Sequence, residues 1–196
     1  IYGLIGENGA GKTTTIKAAL GLIAKDSGDV SILGMPMPAN EQKAKAQIGV
    51  VLDDGHFHEN LTPKEIGKIL KTIYPTWDDS LYQQYLKRFS LPFDQRSGSF
   101  SKGMGRKLAI AAALAHRPKL LIMDEATSGL DPVVREEILD ILLEFIEDEE
   151  HAVLLSSHIT SDLDKIADYI TFLHEGKVVL SREKDDLLSS MGILKC

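Results

Sequence analysis

The 196-residue sequence predicts an α/β fold: a mostly parallel sheet in a three-layer α/β/α arrangement, with an α-helical subdomain inserted into it. Three observations carry this. Short runs such as Leu120-Leu121-Ile122-Met123 are apolar at successive positions, as strands covered on both faces are. Such runs alternate with stretches patterned for helix. Between 61 and 117 the character changes, and the pattern is mostly helical.

In chain order, residues 1–5 form an apolar run that ends at a glycine loop and read as a buried strand. Residues 12–21 follow as a helix stopped by Gly21. Residues 29–33 alternate like a strand with one exposed face, and 47–52 are a further short apolar strand. Thr62-Pro63 is a helix start, with proline at the first helical position. Leu81, Tyr85, Leu86 and Phe89 recur at helical spacing, and a third helix runs from near Ser101 to about His116. Beyond Pro118, residues 119–124 and 152–157 are buried strands flanking a long helix at 132–150. A short helix at 161–167 precedes a hairpin, 169–173 with 177–180, closed by His174-Glu175-Gly176. The expected organisation is one domain, with 1–60 and 118–196 as the core and 61–117 as the helical subdomain.

Composition bounds the function. The chain is 43% hydrophobic and 26% charged, an ordinary globular balance. A net charge of −7 provides no basic field for nucleic acid, so no nucleic-acid partner is expected. The run Glu147-Asp148-Glu149-Glu150 reads as a solvated helix face. Cys196 is the single cysteine, so no disulfide framework is possible. No apolar run approaches the roughly 18 residues of a membrane span. The chain opens inside an apolar run without a methionine, and the natural protein is expected to begin upstream.

Gly6, Glu7, Asn8, Gly9, Ala10, Gly11, Lys12 and Thr13 fit G-x-x-x-x-G-K-[ST] in full, between an apolar run and a helical stretch. The glycines let the backbone wrap a phosphate with its N–H groups inward, and the helix beginning at Lys12 adds its positive end. Lys12 is expected to reach the β- and γ-phosphates of a nucleoside triphosphate, and the Thr13 hydroxyl to hold Mg²⁺. Thr14 is placed to touch phosphate as well. The run 120–124 ends in Asp124, followed by Glu125. Unpaired buried charge is costly, and a Mg²⁺ ion held by Asp124 supplies a reason for it. Glu125 is then positioned to act on an attacking water as general base. Acids at the solvent edge of a sheet are the plainer alternative.

With these residues and three later motifs, the sequence resembles the nucleotide-binding domain of ABC transporters over essentially its whole length, in family order. Gly6 to Thr13 match the family's Walker A motif, and 120–125 its Walker B motif with the catalytic glutamate. Phe100-Ser101-Lys102-Gly103-Met104 lies where the L-S-G-G-Q signature sits. Ser128-Gly129-Leu130-Asp131 matches the D-loop, and Ser156-Ser157-His158 the switch histidine. The resemblance implies ATP and Mg²⁺ as ligands and a head-to-tail pair of subunits, homodimer or heterodimer. In that pair Ser101 and Gly103 of one copy bind the γ-phosphate of ATP held by the other. By the same resemblance, His158 is expected to contact the γ-phosphate and hold the water-and-glutamate geometry. Asp131 supports the subunit contact, caps the helix at Pro132, or does both. The resemblance further implies a transmembrane permease subunit as partner, driven through 61–117, and a place at the cytoplasmic face of the membrane, with bacterial export as the leaning. A soluble ABC-type ATPase outside transport and a weakly hydrolysing regulator are the alternatives.

The sequence departs from the family at several points. Asp53, with Asp54 after it, stands where the Q-loop glutamine is expected and is assigned to the metal side. Lys102 and Met104 replace the signature's glycine and glutamine, and Ala126 a proline. The strands that precede the P-loop in the family, with the aromatic that stacks on adenine, have no counterpart, so weak nucleotide binding is expected of the chain alone. His56, His58, His116, His151 and His174 read as ordinary polar surface residues.

Overall fold

The computed structural model describes residues 1–53 and 57–190; Asp54, His56 and Cys196 lie outside them. Six strands form one sheet in the order β4-β5-β6-β1-β7-β8. These are β4 (Ile48–Val51), β5 (Leu120–Asp124), β6 (Ala152–Ser157), β1 (Tyr2–Ile5), β7 (Tyr169–His174) and β8 (Lys177–Glu183). The first five run parallel, and β8 pairs antiparallel with β7 as a hairpin. β1 is central, with Tyr2 opposite Leu154 on one side and Tyr169 on the other. The carboxyl ends of β1, β5 and β6 therefore meet at one edge, where ligands bind in open α/β sheets.

Successive residues of β5 belong to different cores, which makes the fold three-layered. Leu121 and Met123 pack with Ile110 and Ala111 of α5 (Lys102–Ala115) and with Ile138 and Leu142 of α6 (Pro132–Phe145). Ile122 packs on the other face with Leu4, Ile48, Leu173 and Ile16 of α1 (Lys12–Ala19). Each fully buried Leu, Ile or Met side chain among these contributes about 1.5–3 kcal/mol. Gly49 lets α5 lie directly on β4: a Cβ there would meet the Ala113 carbonyl at 3.0 Å and Leu121 Cδ1 at 2.9 Å.

Between β4 and β5 the chain forms α3 (Pro63–Ile73), α4 (Asp79–Arg88) and α5. α3 starts where the sequence predicts, through a capping box: Thr62 Oγ1 accepts from the Glu65 N–H at 3.2 Å, and Glu65 Oε2 accepts from the Thr62 N–H at 2.9 Å. Ile66, Tyr82, Leu86 and Leu108 of these helices join the same core as Leu121 and Ile138. Among the described residues no helix is long and apolar enough to cross a membrane.

Some details differ from the sequence reading. The strand expected at 29–33 is β2 (Val30–Ile32), which forms a separate two-stranded sheet with β3 (Met35–Met37). The helix expected at 132–150 stops at Phe145, because the acids 147–150 oppose the negative end of the helix dipole. Asp148 instead accepts from the Glu150 N–H at 2.9 Å in a turn. Two short helices, α2 (Glu41–Lys45) and α8 (Lys184–Ser190), add to the expected set, and α7 spans Thr160–Ile166. His116 is not at the surface: it is 1% exposed and stacks on Tyr74 at 4.1 Å.

Candidate active site

The glycine loop closes the gap between β1 and α1. Gly9 and Gly11 have φ of 85° and 104°, conformations that favour glycine, and Gly11 is the N-cap of α1. Gly6 is required for a second reason: a Cβ there would lie 2.5 Å from the Leu173 carbonyl. The β7–β8 turn braces the loop from outside. The Gly176 N–H donates to the Ala10 carbonyl at 3.0 Å, and His174 Nδ1 lies 2.9 Å from Glu7 Oε1.

Lys12 is buried, 5% exposed, and turns back into the loop. Its Nζ donates to the carbonyls of Gly6 at 2.7 Å and Glu7 at 3.1 Å, and lies 3.0 Å from Glu125 Oε1. Glu125 Oε2 is 2.6 Å from His158 Nδ1. Lys12, Glu125 and His158 thus form a continuous polar chain across the ends of β1, β5 and β6. Glu125 adopts a φ of 51°, uncommon outside glycine and characteristic of functional sites. It is held there by its N–H, which donates to the Ser156 carbonyl at 3.2 Å and to Ser156 Oγ at 3.0 Å.

Asp124 is 1% exposed. Its Oδ1 accepts from Ser156 Oγ at 2.6 Å, while its Oδ2 is buried without a hydrogen-bond partner. A buried carboxylate oxygen left unpaired is costly, and a hard cation answers the cost. Among the described residues no cluster of three or more His, Cys, Asp or Glu could form an all-protein metal cage. One carboxylate and one hydroxyl suit Mg²⁺, which keeps waters and phosphate oxygens as its remaining ligands.

The other expected residues lie apart from this chain of contacts. Ser101 caps α5, its Oγ accepting from the Met104 N–H at 3.2 Å, and Gly103 faces Val134 and Leu130. Asn8 and Thr14 are exposed at the loop, and Thr13 is half-buried. Asp131 caps α6, accepting from the N–H groups of Val133 and Val134 at 3.1 Å each. Asp53 does not stand free: its Oδ1 accepts from Arg106 Nη2 at 2.8 Å. Three contributors escaped the sequence reading: Ser156 as the link from Asp124 to Glu125, His174 as a brace on Glu7, and Arg106 as the partner of Asp53. Only Ser156 had a local signal, its place beside His158 at the end of a strand.

Comparison with known proteins agrees with this geometry. The family model described as ABC transporter matches residues 1–128. The bacitracin transport ATP-binding protein BcrA of Bacillus licheniformis is 36% identical over 91% of this chain and 59% of its own length. The lantibiotic transport ATP-binding protein SrtF of Streptococcus pyogenes is 35% identical over 94% of this chain and 80% of its own. A solved structure of an ATP-binding subunit of an ABC transporter superposes with a TM-score of 0.85 at 30% identity, covering 96% of this chain and 80% of that one. With the glycine loop, the strand-end carboxylates and the histidine in family order on a matching fold, the chain belongs to the ABC transporter ATP-binding family.

Proposed function

We propose that the protein binds ATP with Mg²⁺ and hydrolyses it as the ATPase subunit of a bacterial ABC transporter of the export type. The observation that carries this is the buried, unpartnered Asp124 Oδ2 beside the Lys12–Glu125–His158 chain. Before nucleotide arrives, Lys12 is shared among the Gly6 and Glu7 carbonyls and Glu125. The triphosphate brings more negative charge than one carboxylate and charged acceptors in place of the loop carbonyls, so Lys12 transfers to it and releases Glu125. The N–H groups of the loop and of the α1 N-terminus hold the same phosphates. Thr13 and Asp124 are the residues that would hold Mg²⁺, and the ion would supply positive charge against the phosphate oxygens. Glu125, freed from Lys12 but still bonded to His158, accepts the proton of the attacking water. His158 keeps the carboxylate aimed.

Ser101 and Gly103 are assigned to the site of a second copy, where the N-terminus of α5 meets the γ-phosphate. Helices α3–α5 form the unit that passes the movement to a membrane permease, at the cytoplasmic face. Relatives that bear the names of bacitracin and lantibiotic transport proteins support the export reading. Phosphate release by the Glu125→Gln protein tests the assignment of the base. Turnover is expected to fall about 10²- to 10⁴-fold with ATP binding retained. Turnover within threefold of the unmodified protein removes Glu125 from the role.

A further inference from the structure

Arg106 is the one arginine that is fully buried among the described residues, its side chain 2% exposed. Nothing in the hydrolytic chain uses it. Nη1 donates to the Leu52 carbonyl at 2.8 Å. Nη2 donates to Asp53 Oδ1 at 2.8 Å and approaches the Asp53 carbonyl at 3.5 Å. Leu52 and Asp53 follow directly on β4, one of the two edge strands of the sheet. Arg106 lies on α5, five residues after Ser101.

A buried guanidinium is stabilising only with well-made bonds, and an apolar side chain generally fills such a position at least as well. What the guanidinium adds is direction: its planar fork fixes angle as well as distance. α5 is regular from Lys102, so five residues place Ser101 about 7.5 Å along the axis from Arg106. Arg106 therefore links the helix that carries the Ser101–Gly103 turn to the residues that follow β4.

We propose that Arg106, with Asp53 as its partner, is a positioning residue for the shared ATP site. The pair ties the second turn of α5, one turn beyond Ser101–Gly103, to the end of β4, and the Asp53 carboxylate serves this tie rather than Mg²⁺. The proposal rests on Ser101 and Gly103 acting across the subunit interface. Asp53 is 53% exposed, so Asp53→Asn removes the charge without opening a cavity.

The test uses the full-length protein with Asp53→Asn, Asp53→Glu, Arg106→Met, and Asp53→Asn with Arg106→Met combined. Three quantities are read: thermal midpoint, kcat and KM for ATP, and the Mg²⁺ concentration that half-saturates binding of a fluorescent ATP analogue. Asp53→Asn and Arg106→Met should each lower kcat about tenfold, with KM and the Mg²⁺ requirement changed less than about twofold. The combined variant should be no worse than Arg106→Met alone, the mark of one shared interaction. Asp53→Glu should restore at least half of kcat. A tenfold rise in the Mg²⁺ requirement for Asp53→Asn makes Asp53 a metal ligand and overturns the proposal. Additive losses, or unchanged kcat in both single variants, overturn it as well. If Arg106→Met does not fold, the Asp53→Asn and Asp53→Glu arms still decide. Ser101→Ala with unchanged turnover would instead overturn the shared site, while non-additive thermal midpoints still report the pair.

Discussion

Ser156→Ala is the sharpest perturbation of the Asp124 side of the site. The hydroxyl is fully buried and makes two bonds: it donates to Asp124 Oδ1 at 2.6 Å and accepts from the Glu125 N–H at 3.0 Å. The Glu125 N–H keeps the Ser156 carbonyl at 3.2 Å, so the heavier loss falls on Asp124. Its other oxygen already has no partner, so the variant leaves the whole carboxylate buried and without a hydrogen bond. A hydrogen bond to a charged acceptor contributes about 1.5–3 kcal/mol. In a chain of this size each kcal/mol moves the thermal midpoint by about 2–4 °C, so a drop of about 3–12 °C is expected. The assay is thermal unfolding with and without saturating ATP and Mg²⁺. On the proposed function a cation at Asp124 would compensate the carboxylate, so the gap between variant and parent should narrow when ligand is present. A midpoint within about 1 °C of the parent in the absence of ligand would refute the reasoning, since Asp124 would then not depend on Ser156.

Two further substitutions separate charge from shape. Asp124→Asn removes a buried charge with an unpartnered oxygen, so the thermal midpoint should stay level or rise while Mg²⁺-dependent phosphate release falls by about 100-fold or more. His116 is neutral in the fold because burial pushes its pKa down from 6.5 to about 4. The unfolded chain then binds the extra proton between those values, so stability is full above pH 6.5 and declines as pH falls toward 4. The slope is at most about 1.4 kcal/mol per pH unit, about 3 kcal/mol in all. Denaturant titrations at pH 7 and pH 4.5 should show His116→Phe losing less stability than the parent over this window.

The site was legible where its chemistry is contiguous in sequence. A loop that wraps phosphate needs glycines and a lysine at fixed offsets, so Gly6 to Thr13 announce themselves. β5 and β6 were legible because strands covered on both faces are apolar throughout. β3 was not: three half-exposed or exposed residues, with a proline in the middle, carry no period. The early end of α6 hid in an acidic run that serves a solvated helix or a turn equally well. Pairs formed through the fold left no trace either. Asp53 and Arg106 are 53 residues apart, and neither position alone shows that the carboxylate is already engaged. His116 looked like a polar residue closing a helix, and its burial depends on Tyr74, brought alongside by α3. The strain at Glu125 is likewise set by Ser156 from the next strand, not by its own neighbours in sequence.

On the proposed function, the loop at 6–13 holds ATP for hydrolysis in a site completed by Ser101 and Gly103 of a second copy. Sedimentation velocity of the full-length Glu125→Gln protein tests it directly. With ATP and Mg²⁺ the protein should sediment as a dimer, and without nucleotide as a monomer. Adding Ser101→Ala and Gly103→Asp should return it to a monomer that still binds ATP. A protein that binds ATP with Mg²⁺ and stays monomeric at every concentration, or a dimer indifferent to the Ser101 and Gly103 substitutions, would contradict the account.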